Sequence, residues 1–195
     1  MSAATASAAT TLAGAAKSAV SRTSPTASSK TVYLFRHLQT SQVLVSLKNS
    51  VEKQSLRQIV DETRRPAHVR PDHWHPLIAI QGFNRHQDAL SFHNSIRDHQ
   101  LNMQAAKLAD PKHIAQPRRL RAPQEMNQVD ETLIKVVKLL NEQPQIKATK
   151  GKGIRILWER EGVKKQLLEK EGVSFPEDIQ HGDLVIKRGR DIANA

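Results

Sequence analysis

Apolar residues in this chain come in short runs, of which Val32–Phe35, Val43–Val45 and Leu77–Ile80 are the clearest, each bounded by polar, basic or proline residues. Runs of this length suit strands that bury themselves in a sheet, and they fall far short of the roughly 20 apolar residues that a membrane-spanning helix needs. The core must therefore be assembled from small pieces, strands and amphipathic helices laid over one another. With 38% hydrophobic residues in 195 and a mean hydropathy of -0.54, that core is smaller than the length would allow. The rest is linker and tail.

The pieces can be placed by period and by punctuation. Residues 30–38 and 42–47 are rich in β-formers and are separated by the polar break 39–41, which predicts a hairpin. Leu56, Ile59 and Val60 stand at helical spacing in residues 52–62, and Arg64-Arg65-Pro66 should end that helix, because the residue before a proline is pushed out of the α region. A third strand is expected over 74–83, with Pro76 near its start, a placement that suits a sheet edge or a strand beginning. Asn84 can cap a long helix over 84–108 whose apolar side holds Ala89, Phe92, His93, Ile96 and Met103. Pro111, Pro117 and Pro123 bound an irregular stretch, after which Asn127 can cap a helix over 128–141 with the stripe Val129, Leu133, Val136, Val137 and Leu140. Gly151 and Gly153 precede a last strand, Ile154 to Trp158, and a short helix covers 163–171. Ile154, Ile156 and Trp158 alternate with Arg155, so Trp158 is expected to face inward.

The resulting order, β-β-α-β-α-α-β-α, is an α+β fold: a small sheet, the hairpin plus two further strands, packed with about four helices. The expected organisation is a tail over 1–30, a core domain over 31–172 and a basic C-terminal extension over 173–195.

Charge then points to function. Lys and Arg number 30 against 19 Asp and Glu, and no acid precedes Glu52. The excess gathers in four clusters at or between the ends of elements: Arg64, Arg65 and Arg70; Lys112, Arg118, Arg119 and Arg121; Lys147, Lys150, Lys152 and Arg155; Lys187, Arg188 and Arg190. Backbone free of regular pairing can follow a phosphate path, so these residues are the expected contacts to a polyanion, read here as RNA. The chain has no cysteine, which excludes a disulfide scaffold and thiolate zinc sites. His73-Trp74-His75 could offer two ligands from one strand, but nothing fixes a third, and no metal is expected there. Lys150-Gly-Lys-Gly lacks the spacing of a phosphate loop, and neither a nucleophile elbow nor a dinucleotide fingerprint is present. The strand-turn-strand opening has a faint likeness to a GIY-YIG nuclease, whose second tyrosine and metal-binding glutamate it lacks. The expectation is a protein with no catalytic residues and no cofactor.

Residues 1–30 are almost all Ala, Ser and Thr, with Lys17, Arg22 and Lys30 as the only charges. That composition is that of a mitochondrial transit peptide; the alternative is a low-complexity tail that runs over a partner.

Three segments carry a family resemblance. Val32-Tyr-Leu-Phe-Arg-His-Leu-Gln-Thr-Ser-Gln-Val-Leu-Val-Ser, Val69-Arg-Pro-Asp-His-Trp and Ile154-Arg-Ile-Leu-Trp-Glu resemble, in order and approximate spacing, parts of the fungal mitochondrial large-subunit ribosomal protein also known as a mitochondrial homologous recombination protein. The resemblance covers roughly residues 31–160. It implies a mitochondrial matrix protein of the mitoribosome, with large-subunit rRNA and neighbouring mitoribosomal proteins as partners. By family precedent it also implies a second role, pairing homologous mitochondrial DNA during recombination.

Overall fold

A computed structural model describes residues 30–59, 65–142, 153–170 and 173–185. The tail 1–29 and the basic residues Arg64, Lys147, Lys150, Lys152, Lys187, Arg188 and Arg190 lie outside the described residues. The α+β architecture is as expected. Its strands are β1 (Thr31–His37), β2 (Val43–Ser46), β3 (Trp74–Gln81), β4 (Arg155–Trp158) and β5 (Gln180–Asp183). They form one sheet in the order β2-β1-β3-β4-β5, antiparallel except for the β4–β5 pair. The helices among the described residues are α1 (His86–Ala109), α2 (Pro111–Ile114), α3 (Arg118–Met126), α4 (Val129–Glu142) and α5 (Glu161–Leu168).

The sheet is apolar on both faces because strand residues alternate between two separate cores. Val32, Leu34, Ile78, Ile80, Ile156 and Trp158 join Ala89, Phe92 and Ile96 of α1 and Leu133, Val136, Val137 and Leu140 of α4 in the larger one. Tyr33, Phe35, Leu44, Trp74 and Ala79 form a smaller core on the other face, covered by Leu56 and Ile59 with Val51 and Val69 packed against them. Helices thus seal one face and an irregular connection seals the other.

Several expectations need correction. Residues 52–62 do not open as an α-helix: a 3-10 turn spans Lys53–Gln58 and Ile59 is already extended at φ -82, ψ 110. Packing explains this, since both amide atoms of Gln58 are taken by the backbone of Val45, Oε1 accepting from its N–H at 2.9 Å and Nε2 donating to its carbonyl at 2.7 Å. β3 is the central strand, not an edge. Pro76 is accommodated where the pairing with β1 slips, between Leu34 and Phe35, a bulge being one of the few sheet positions that tolerate a missing donor. Arg85, not Asn84, is the residue before α1, and the Asp88 carboxylate accepts from its N–H at 3.3 Å. The stretch between Pro111 and Asn127 is helical, with Pro111 at the start of α2, where Asp110 accepts from Lys112 N at 3.0 Å, and Pro123 inside α3. Asn127 closes α3, and the Gln128 carbonyl takes the first α4 bond from Thr132 N at 3.0 Å.

Ile154 to Trp158 is not the last strand either. Past residue 172, where the core domain was expected to end, β5 pairs with β4 and Ile179 is buried with the larger core. Strand β5 reads Gln-His-Gly-Asp, with no β-former to betray it. What seats it is a side chain: Trp158 Nε1 donates to His181 Nδ1 at 3.1 Å, and both rings meet Phe175.

Candidate nucleic-acid interface

Seven of the expected contact residues can be placed, and the structure divides them. Arg70, Lys112, Arg118, Arg119 and Arg155 are exposed. Arg65 is turned back onto its own connection, donating from Nε and a terminal nitrogen to the Ile59 carbonyl at 3.3 and 2.8 Å. Arg121 does similar internal work, donating to the Ile114 carbonyl at 3.5 Å with Nε 3.7 Å from Glu125. Arg155 reaches Gln180 Oε1 at 3.0 Å across the β4–β5 pair but keeps its place on the surface.

Lys112, Arg118 and Arg119 belong to one unit, the α2–α3 pair. Helix α3 buries none of its residues, and Leu120 stands 59% exposed beside its arginines. His113 Nε2 of α2 lies 3.0 Å from Glu125 Oε1 of α3 and ties the pair together, while Lys107 Nζ of α1 joins it to the body, reaching the Gln124 carbonyl of α3 at 3.3 Å as well as Glu131 of α4 at 3.0 Å. Arg118, Arg119, Leu120, Pro123 and Gln124 of α3 are exposed, and its other four residues are half-buried. Ile114 and Leu108, 49% and 47% exposed, add apolar area nearby in sequence.

Arg70 sits on the other face, in the connection that covers the smaller core. It lines a cleft of about 270 Å³ together with His37, Pro66, His68, His73 and Trp74. Sequence reasoning singled out Arg70 but missed His37, His68 and Pro66 as its neighbours. Its one usable signal was His73-Trp74-His75, and the fold separates that pair: His73 lines the cleft, whereas His75 Nδ1 lies 3.6 Å from Glu159, which Arg36 also approaches at 3.3 Å. Among the described residues no group of three or more histidines or carboxylates is placed to hold a metal ion.

Neutral imidazoles mark both sheet faces. His37 accepts at Nδ1 from Thr40 N at 3.3 Å, and burial, reinforced by His73, holds it below the usual histidine range. His181 likewise sits low, through burial and then Lys164, and its Nδ1 must be unprotonated to accept from an indole that can only donate.

Two likenesses to known proteins bear on this surface. Residues 29–108, which hold β1 to β3 and most of α1, match the family model described as "Transcriptional regulation of mitochondrial recombination". The large ribosomal subunit protein mL67 of Schizosaccharomyces pombe is 40% identical over 60 residues, 27% of this chain and 34% of the relative. The matched part therefore spans about a third of that relative's length. The resemblance read from Val32–Ser46 and Val69–Trp74 is borne out, and both segments fall inside the matched range. The cleft does too, whereas α2 and α3 follow it.

Proposed function

We propose that this protein is a non-enzymatic structural constituent of the mitochondrial large ribosomal subunit, docking its α+β core on rRNA through basic connections and contributing to mitochondrial translation. The observation that carries the reading is α3, a helix with no buried residue whose Arg118 and Arg119 are exposed, as contacts to an external polyanion would be. The likeness to a large ribosomal subunit protein supports the same reading. RNA helices hide their base edges in a deep major groove, so a docking protein meets phosphates, 2′-hydroxyls and shape, for which Arg70, Lys112, Arg118, Arg119 and Arg155 are suited. Arg64, Lys147, Lys150, Lys152, Lys187, Arg188 and Arg190, which lie outside the described residues, add further cations for RNA in this reading, and residues 1–30 direct the chain to the mitochondrial matrix. Leu108, Ile114 and Leu120 offer a neighbouring ribosomal protein an apolar foothold.

The second reading, a mitochondrial DNA-binding protein that promotes homologous pairing, is favoured by the description of the matching family. Pairing factors that track single strands stack bases on exposed aromatics. Here Tyr33, Phe35, Phe83, Phe92, Trp74 and Trp158 are all buried, which favours the ribosomal reading. Sedimentation of mitochondrial lysate through sucrose separates the two. The protein should travel with the large subunit and shift to light fractions after ribonuclease; a light, nucleoid-associated position that ignores ribonuclease would select the pairing role.

A further inference from the structure

The cleft beside His37 lies between the end of β1, the start of β3 and the connection that precedes β3. Its floor is fixed by backbone bonds: Leu38 N donates to the His73 carbonyl at 3.0 Å, His73 N to the Arg70 carbonyl at 3.0 Å, and His37 N to the Gln42 carbonyl at 2.8 Å. Its rings are fixed by packing, with His37 edge-on to Trp74 at 4.9 Å and to His73 at 5.4 Å. Trp74 is 3% exposed and so supports the cleft from below, while His73 is half-buried and Arg70 and His68 are exposed at its mouth.

We propose that this cleft takes one unpaired nucleotide of RNA, its base lodged against the rings of His37, His73 and Pro66 and its phosphate held by Arg70 and His68. Three observations point to a nucleotide over other ligands. A cleft of about 270 Å³ is of the size that takes a small planar ligand with its polar attachments. The charge at the cleft is mixed, because exposed Asp72 lies with its carboxylate 3.7 Å from His73 Nε2, so a bare anion is a poor match while a ligand with a neutral ring beside its phosphate is a good one. His37 is neutral, with Nδ1 committed to Thr40 N, which leaves its proton on Nε2 as a single donor of the kind that reads a base edge. With the large aromatics buried and His37 itself 7% exposed, the half-buried His73 ring and Pro66 are the flat surfaces that open to a base at this cleft, with His37 lining it behind them. The inference rests on the RNA-binding reading above and adds to it a contact with an extruded base, where the rest of the surface meets backbone.

The test uses the full chain with its histidines followed by NMR through their ring Cε1–H signals, titrated with adenosine 5′-monophosphate, uridine 5′-monophosphate and inorganic phosphate. The expected result is a saturable shift of the His37, His68 and His73 signals with at least one mononucleotide, no comparable shift of His99, His113 or His181, and a much weaker effect of phosphate alone. Arg70→Ala should weaken the mononucleotide roughly tenfold, the loss of one charge-assisted contact. Arg118→Ala with Arg119→Ala should leave mononucleotide binding unchanged while lowering affinity for duplex RNA. Cleft histidines that stay still with both mononucleotides, or that respond as strongly to phosphate, would overturn the proposal even if the chain binds duplex RNA. Cleft binding by a chain that is absent from the large subunit would instead overturn the ribosomal reading alone.

Discussion

Trp158 shows how one side chain can serve packing and topology together. It is 3% exposed, pairs with Ile78 across β3 and β4, and donates to His181 on β5. Trp158→Ala should cost about 3 to 5 kcal/mol, the range for emptying a buried aromatic site, and that is enough to unfold a domain of ordinary stability. Trp158→Phe keeps most of the volume but removes the donor, so it should cost about 1 kcal/mol from the hydrogen bond and expose β5 selectively. Thermal melting with amide exchange of residues 180–183 checks both. If Trp158→Ala melts like the parent and only RNA binding falls, the residue works as a stacking surface and its inward position is wrong. A glycine makes the complementary point at the other end of these strands. Gly82 has φ +92, and a Cβ there would lie 1.6 Å from the Gly153 carbonyl oxygen, so the crossing of the two backbones demands glycine on steric grounds.

At the scale of elements, β2 and α3 are opposites. Strand β2 is a sheet edge whose outward backbone groups would invite another strand, and three glutamines from three other segments occupy them. Gln58 takes both groups of Val45; Gln128 Oε1 accepts from Val43 N at 3.4 Å, and Gln100 Nε2 donates to the Val43 carbonyl at 3.4 Å and to Thr132 Oγ1 at 3.2 Å. That edge is closed. Helix α3 is open, with Arg118 and Arg119 exposed and only Arg121 tied inward. Replacing Arg118 and Arg119 with Ala should therefore leave the fold intact, whereas including Arg121 would also loosen the bond to Glu125 and the end of α2. Each lost phosphate contact lowers the slope of log affinity against log salt by roughly 0.7 to 0.9, so the double variant should flatten it by about 1.4 to 1.8. The measurement is RNA binding over a salt series, and an unchanged slope would mean that α3 faces water or protein.

For the molecule as a whole, one buried and two half-buried histidines set how stability follows pH. His37, His99 and His181 are all held below the ordinary value of 6.5, mainly by burial, with Lys135 and Lys138 adding to the effect at His99 against an opposing pull from Glu131. The folded state binds these protons more weakly than the unfolded chain does. Their contribution to stability is complete above pH 6.5 and is lost as pH falls through the lower folded values. Urea unfolding should show a midpoint that drops between pH 7 and pH 5, and His181→Asn, which keeps an acceptor for Trp158, should make the drop shallower. A flat midpoint over that range would mean that these rings titrate normally.

The sequence by itself determined the local pieces. The runs of β-formers in 31–37 and 43–46, the alternation in 155–158 and the apolar stripes of α1 and α4 are readable because they lie in consecutive residues or recur at a fixed step along the chain. It also pointed to Arg70, Lys112, Arg118, Arg119 and Arg155, which are exposed, because a charged side chain stays in water unless a partner draws it inward. Tertiary structure alone decided which connections stayed free. Arg65 and Arg121 were recruited inward by carbonyls at Ile59 and Ile114 that no spacing rule announces, and a Gln-His-Gly-Asp segment became a strand because Trp158 and the edge of β4 were waiting for it. The cleft belongs to the same class: His37, Pro66, Arg70 and His73 meet only because β1 and β3 run side by side and bring the turn after one strand to the entry of the other. Contacts set by period are written along the chain, whereas contacts set by closure exist only once the sheet has formed.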